Sequence, residues 1–203
     1  MKPRYDPRVF LALTLSRTAQ ERLGEVQDCL KTYLASWHFI PWVNLHMTLK
    51  FFGEVPEDKI PAICETCRAM ARRHNPFSLH WNAIDFFGSP QSARVLFAAA
   101  EPDTELDRLA GSISQTFADI GDAKPLHPHV TLAKARREMD RGTAQMNSNM
   151  LRRLKELGRI GPEPVEVDLT TVHRDFTLME TIWVGRGVQY EVRECFPLAT
   201  SAQ

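Results

Sequence analysis

NLHMTLKFFG at residues 44–53 and HPHVTLAK at residues 127–134 share the pattern His-x-Thr-Leu, and this repeat decides how the chain is organised. In an extended strand alternate side chains share a face. His46, Thr48 and Lys50 are therefore expected on one side of the first copy, with Leu45, Met47, Leu49 and Phe51 on the other. In the second copy His129 and Thr131 share a face opposite Val130 and Leu132. Average composition gives two such tetrapeptides in a chain this long a chance on the order of 10⁻⁴. A lone strand histidine is more often structural, and threonine favours strands anyway; the matched pair carries the signal.

Outward from each copy, the same order of elements recurs. Before the first lies an apolar run at residues 9–15, read as a buried strand. A helix follows whose apolar positions Leu23, Val26, Leu30, Tyr33, Leu34 and Trp37 keep three-four spacing until Pro41. Before the second lies RVLFAAA (94–100), again strand-like, then a helix marked by Leu106, Leu109, Ile113, Phe117 and Ile120, with Asp103 or Thr104 as N-cap. Both halves run strand, helix, loop, motif strand, which reads as a duplicated unit. Halves packed about a pseudo-twofold axis would bring both motifs into one cleft.

The rest adds a helix at 57–73, a strand through Phe77, Leu79 and Trp81, and a basic helix at 143–157 broken by GPEP (161–164). Strands are expected near 165–169, 176–183 and 189–196, the last two joined across GRG (185–187) as a hairpin. No low-complexity linker divides the chain, so residues 1–203 are expected to form a single bilobal domain.

Twenty-five basic residues balance twenty-five acidic ones, which argues against a protein that coats long nucleic acid. A short RNA end or a nucleotide needs only a local basic pocket, for which Lys50, Lys134, Arg136 and Arg137 are candidates. The N-terminal apolar run is short, interrupted upstream by Asp6 and two prolines, and lacks a small-residue cleavage site, so it does not read as a signal peptide. No stretch is long enough to span a bilayer; a cytoplasmic monomer is expected. Cys64 and Cys67 form a lone CxxC within a helical pattern, which fits buried thiols better than a zinc site.

Histidine titrates near neutral pH, so one ring of a pair can be neutral while the other is protonated. Displacement at phosphorus sets the attacking and leaving oxygens on opposite sides, which calls for a base and an acid facing each other. Thr48 and Thr131 hydroxyls would bond the nonbridging oxygens as their charge is held. Neither a metal nor a cofactor is needed. There is no phosphate-binding GxxxxGK[ST] loop, no HExxH and no glycine-rich dinucleotide fingerprint. His127 and His129 form an HxH without a matching ligand cluster, and His38, His74, His80 and His173 lack an equivalent partner, which suits solvated or structural roles.

HMTLKFFG and HPHVTLAK resemble the two signature motifs of the 2H phosphoesterases, and their surroundings resemble the LigT or ThpR branch, RNA 2′,3′-cyclic phosphodiesterases once named 2′-5′ RNA ligases. RVFLALTLS (8–16), FGSPQSARVLFAAA (87–100) and FTLMETIWVGRGVQYEVRECFPL (176–198) extend the likeness over nearly the whole chain. The resemblance implies an α+β fold, bilobal, with two antiparallel sheets lining a central groove and helices outside. It implies His46 and His129 as catalytic residues, Thr48, Thr131 and Lys134 as substrate-binding residues, and a 2′-phosphate product, with His46 leaning to acid and His129 to base. Relatives often carry arginine where this chain has Lys134, which keeps the charge but loses the planar fork; Thr181 stands where the family has serine. Three activities follow as alternatives: hydrolysis of RNA 2′,3′-cyclic phosphate ends or cyclic nucleotides, 2′-5′ ligation at the same site, or phosphate recognition without turnover.

Overall fold

A computed structural model of the chain describes residues 6–123, 125–136, 140–160, 162, 164–185 and 187–199. Its elements run β1 (Arg8–Thr14), α1 (Arg17–Lys31), β2 (Trp37–Phe39), β3 (His46–Glu54), α2 (Ile60–Ala71), β4 (Phe77–Phe86), β5 (Val95–Ala100), α3 (Thr104–Thr116), β6 (His129–Ala135), α4 (Arg141–Leu157), β7 (Leu169–His173), β8 (Asp175–Val184) and β9 (Gly187–Pro197). They build two antiparallel sheets, ordered β3-β1-β8-β9 and β2-β6-β5-β4-β7. The α+β architecture with two antiparallel sheets that the resemblance implies is present.

Local chemistry sets the helix starts. Ser16 Oγ accepts the Ala19 amide, Asp103 accepts that of Leu106 and Asp140 that of Thr143, each occupying an otherwise orphaned donor. Two helices stop earlier than their apolar spacing suggests. Beyond Lys31 the chain opens, and Trp37 is buried from β2, where it pairs with Ala135 of β6 instead of continuing a helix. Past Thr116, Phe117 still packs inward but Ile120 is 38% exposed. The strand expected near 165–169 falls later, at Leu169–His173, where it pairs with β4. The hairpin across GRG is present as Val184 pairing with Gly187, although Arg186 itself lies outside the described residues, as do Gly161 and Glu163 of GPEP.

The helices are exchanged between the lobes. α1 follows β1 of the first sheet but packs on β2, β6 and β7 of the second, whereas α3 follows β5 of the second sheet and packs on β3 of the first. One apolar cluster runs through both lobes, from Leu11, Leu13 and Met47 to Leu96, Val130 and Leu132. Cys64 and Cys67 are free and lie in this core, where burial pushes the Cys67 thiol up to about 12. A smaller cluster of Phe10, Ala12 and Met179, joined by Phe51 and Tyr190, covers the opposite face of the first sheet. No described helix is long and apolar enough to cross a membrane.

Candidate active site

Both motif strands depart from strict alternation at the same place. Along β3, Thr48 faces Ala12 and Lys50 faces Leu11, so two residues oppose one step of β1 and the strand bulges at Leu49. Along β6, Thr131 faces Phe97 and Ala133 faces Leu96, the same bulge at Leu132. Each bulge turns two consecutive residues towards the helices and returns the next one to the groove. His46, Thr48 and Phe51 thus share the groove face of β3, matched by His129, Thr131 and Lys134 of β6. The expectation that Lys50 accompanies His46 is overturned. Its side chain is buried on the other side, with Nζ donating to the Asp122 carbonyl at 2.6 Å, while Phe51 lines the groove.

The bulges are fastened from the opposite half of the chain. The Leu132 carbonyl accepts from Gln27 Nε2 and from the Ile40 amide, both before the first motif. The Phe51 carbonyl accepts from the Asp122 amide, which precedes the second. This second contact requires Gly121. Its φ is +78°, and a Cβ there would collide with the Phe51 carbonyl oxygen and come within 2.9 Å of the Phe52 Cα.

His46, Thr48, His129, Thr131 and Lys134 all line one cavity of about 350 Å³ between the sheets. The two imidazoles are held alike. His46 Nδ1 lies 2.7 Å from the Asn44 carbonyl and His129 Nδ1 lies 2.6 Å from the His127 carbonyl. A carbonyl only accepts, so each Nδ1 carries the hydrogen and each Nε2 is left with its lone pair. The Thr48 hydroxyl, 3.2 Å from His46 Nε2, donates to it. Aromatic rings dehydrate both: Phe10 and Tyr190 lie 5.0 and 4.8 Å from His46, Phe87 and Phe97 lie 5.0 and 5.3 Å from His129. This burial lowers both imidazole pKa values from the usual 6.5; the positive charges of His129 and Lys134 lower His46 further, and that of His127 lowers His129.

Curling of the first sheet brings Tyr190 to His46. His46 pairs with Thr14 at one end of β1, whereas Tyr190 sits opposite Thr181 on the outermost strand pair. Only a coiled sheet lets such distant corners meet. Asn44 closes the curl: its side-chain amide donates to the Val188 carbonyl at 2.7 Å, while its own carbonyl accepts from His46.

A sequence model of the 2′-5′ RNA ligase superfamily matches residues 15–174. The chain belongs to that superfamily. Among its relatives, a Methanothermobacter thermautotrophicus protein named RNA 2′,3′-cyclic phosphodiesterase is 30% identical over 64% of this chain and 71% of its own. An Archaeoglobus fulgidus protein of the same name is 33% identical over 64% and 74%. The structure resembles the crystal structure of a Thermus thermophilus protein with TM-score 0.72, 26% identity and coverage of 96% and 100%. It also shares the fold of E. coli LigT, at TM-score 0.71 and 20% identity over 97% and 100%.

Several groove residues of this superfamily member escape a motif reading. Arg8 and Phe10 come from β1, whose apolar run conceals its alternation, and Asn44 lies two residues before the first histidine. Trp183 and Tyr190 reach the groove only through the hairpin register and the coil. Thr181 lines it as well. Arg136 is exposed outside the cavity, and Arg137 lies outside the described residues. Of the other histidines, His173 is buried against the Thr171 hydroxyl and pushed down to about 4, and His74 bonds Ser112. His80 sits between Asp168 and Glu101. Among the described residues, no group of three or more His, Cys, Asp or Glu side chains could hold a metal ion.

Proposed function

We propose that the protein hydrolyses RNA 2′,3′-cyclic phosphate ends to 2′-phosphomonoesters by acid-base catalysis between His46 and His129, without metal or cofactor, as a monomeric, single bilobal domain in the cytoplasm. The observation that carries the reading is the pair of Nε2 atoms, one from each sheet, left free of backbone partners at a single cavity. One ring takes a proton from water as it attacks phosphorus. The other returns a proton to the departing O3′. Thr48 and Thr131 hydroxyls bond the nonbridging oxygens, and the Lys134 ammonium offsets their growing charge.

Burial lowers both imidazoles alike, and the division of labour stays the one the resemblance implies, His46 as the acid and His129 as the base. The names of the relatives support the substrate. The free cysteines fit a reducing compartment.

The test is chelator-treated protein with an oligonucleotide bearing a 2′,3′-cyclic phosphate. Conversion to a 2′-phosphate end is expected, with kcat falling about 10²- to 10⁴-fold in His46→Ala and in His129→Ala. Activity that needs added metal, or survives either change, would defeat the reading.

A further inference from the structure

Trp183 stands out among the large apolar side chains, because it lines the cavity yet keeps 69% of its surface in water. It lies two residues past Thr181, on the groove face of β8, one pleat repeat or about 6.6 Å further along the strand. Val188, which lines the same cavity, opposes it on β9. Val188 is also the residue whose carbonyl Asn44 holds. An indole left this exposed on the wall of a polar cavity, with Val188 opposite it, offers a flat apolar face to whatever the cavity holds.

We propose that Trp183 is a stacking platform for the nucleobase on the 5′ side of the nucleotide that carries the cyclic phosphate. The inference rests on the function proposed above and deepens it: the substrate is an RNA end with at least two nucleotides, and cyclic mononucleotides are its poorer analogues. The cavity of about 350 Å³ is near the lower limit for small-molecule sites and holds about one nucleotide. With the phosphate between His46 and His129, the preceding nucleotide leaves the cavity past Thr181 and over Trp183. Single-stranded nucleic acid binds by laying its bases on aromatic side chains, which accept any base because each has a π face. A neutral chain with a small local set of cations, Arg8 and Lys134 at this cavity, gains from such stacking what it lacks in phosphate contacts.

The experiment compares kcat/KM for adenosine 2′,3′-cyclic phosphate and for a dinucleotide ending in the same group, in wild type, Trp183→Ala and Trp183→Phe. Wild type is expected to prefer the dinucleotide, with the preference falling about tenfold in Trp183→Ala and recovering in Trp183→Phe, which keeps a ring. Equal losses on both substrates, or no wild-type preference, would overturn the platform while leaving the phosphodiesterase reading in place. Failure of wild type to turn over either substrate would overturn both.

Discussion

At the scale of single residues, the chemistry depends on which side chains the two bulges return to the groove. Lys50 and Lys134 are both cations near a motif threonine, but only Lys134 lines the cavity; Lys50 is committed to the Asp122 carbonyl. Lys134→Met is expected to lower kcat/KM about tenfold through lost charge at the phosphate. Lys50→Met should act mainly on stability, and steady-state kinetics beside thermal melts would separate the two. Asn44 works on His46 from behind, its amide anchored to Val188 and its carbonyl fixing the imidazole tautomer. Asn44→Ala leaves that carbonyl in place but frees the loop that carries it. We expect kcat to drop several-fold with KM little changed, a split that a purely structural loss would not give. The histidines and threonines are legible from spacing. The place of Lys50 is not, because period-two alternation holds only until a bulge, and nothing in TLKFF marks one.

At the scale of elements, each motif strand is braced by a loop from the other half. Gly121 is the tightest point, where positive φ and the approach to the Phe51 carbonyl exclude any side chain. Gly121→Ala should cost about 3 kcal/mol by strain and overpacking. In a chain of this size that lowers the melting temperature by roughly 6–12 °C, and calorimetry would read it. Helix existence is legible because Leu23, Leu30, Leu106 and Leu109 recur at helical spacing on buried faces. Helix ends are less so: Trp37 keeps the period yet joins β2, because the exposed edge of β6 offers hydrogen bonds that a further helical turn does not.

Across the whole molecule, the duplication explains why two imidazoles meet. Each half gives its first helix to the other lobe, and the motif strands, one from each sheet, are left facing across the groove. The repeat in the sequence is enough to anticipate that meeting. The coil of the first sheet is not so readable, since Tyr190 and Trp183 are brought in by twist accumulated over four strands, which no local pattern encodes. Burial lowers both imidazole pKa values in the free protein. The neutral base is gained as pH rises through its pKa and the protonated acid is lost as pH rises through its own. The pH profile of kcat/KM should therefore be a bell centred on the acid side of the ordinary 6.5, whereas in the kcat profile the bound anionic phosphate raises both values and moves the bell towards alkali. The decisive measurement is that kcat/KM profile on a cyclic-phosphate RNA end, in wild type and in each histidine variant. Two limbs in wild type, with a different limb missing from the residual activity of His46→Ala and of His129→Ala, is the predicted result; a single ionisation, or both limbs surviving in either variant, would contradict catalysis by two opposed imidazoles.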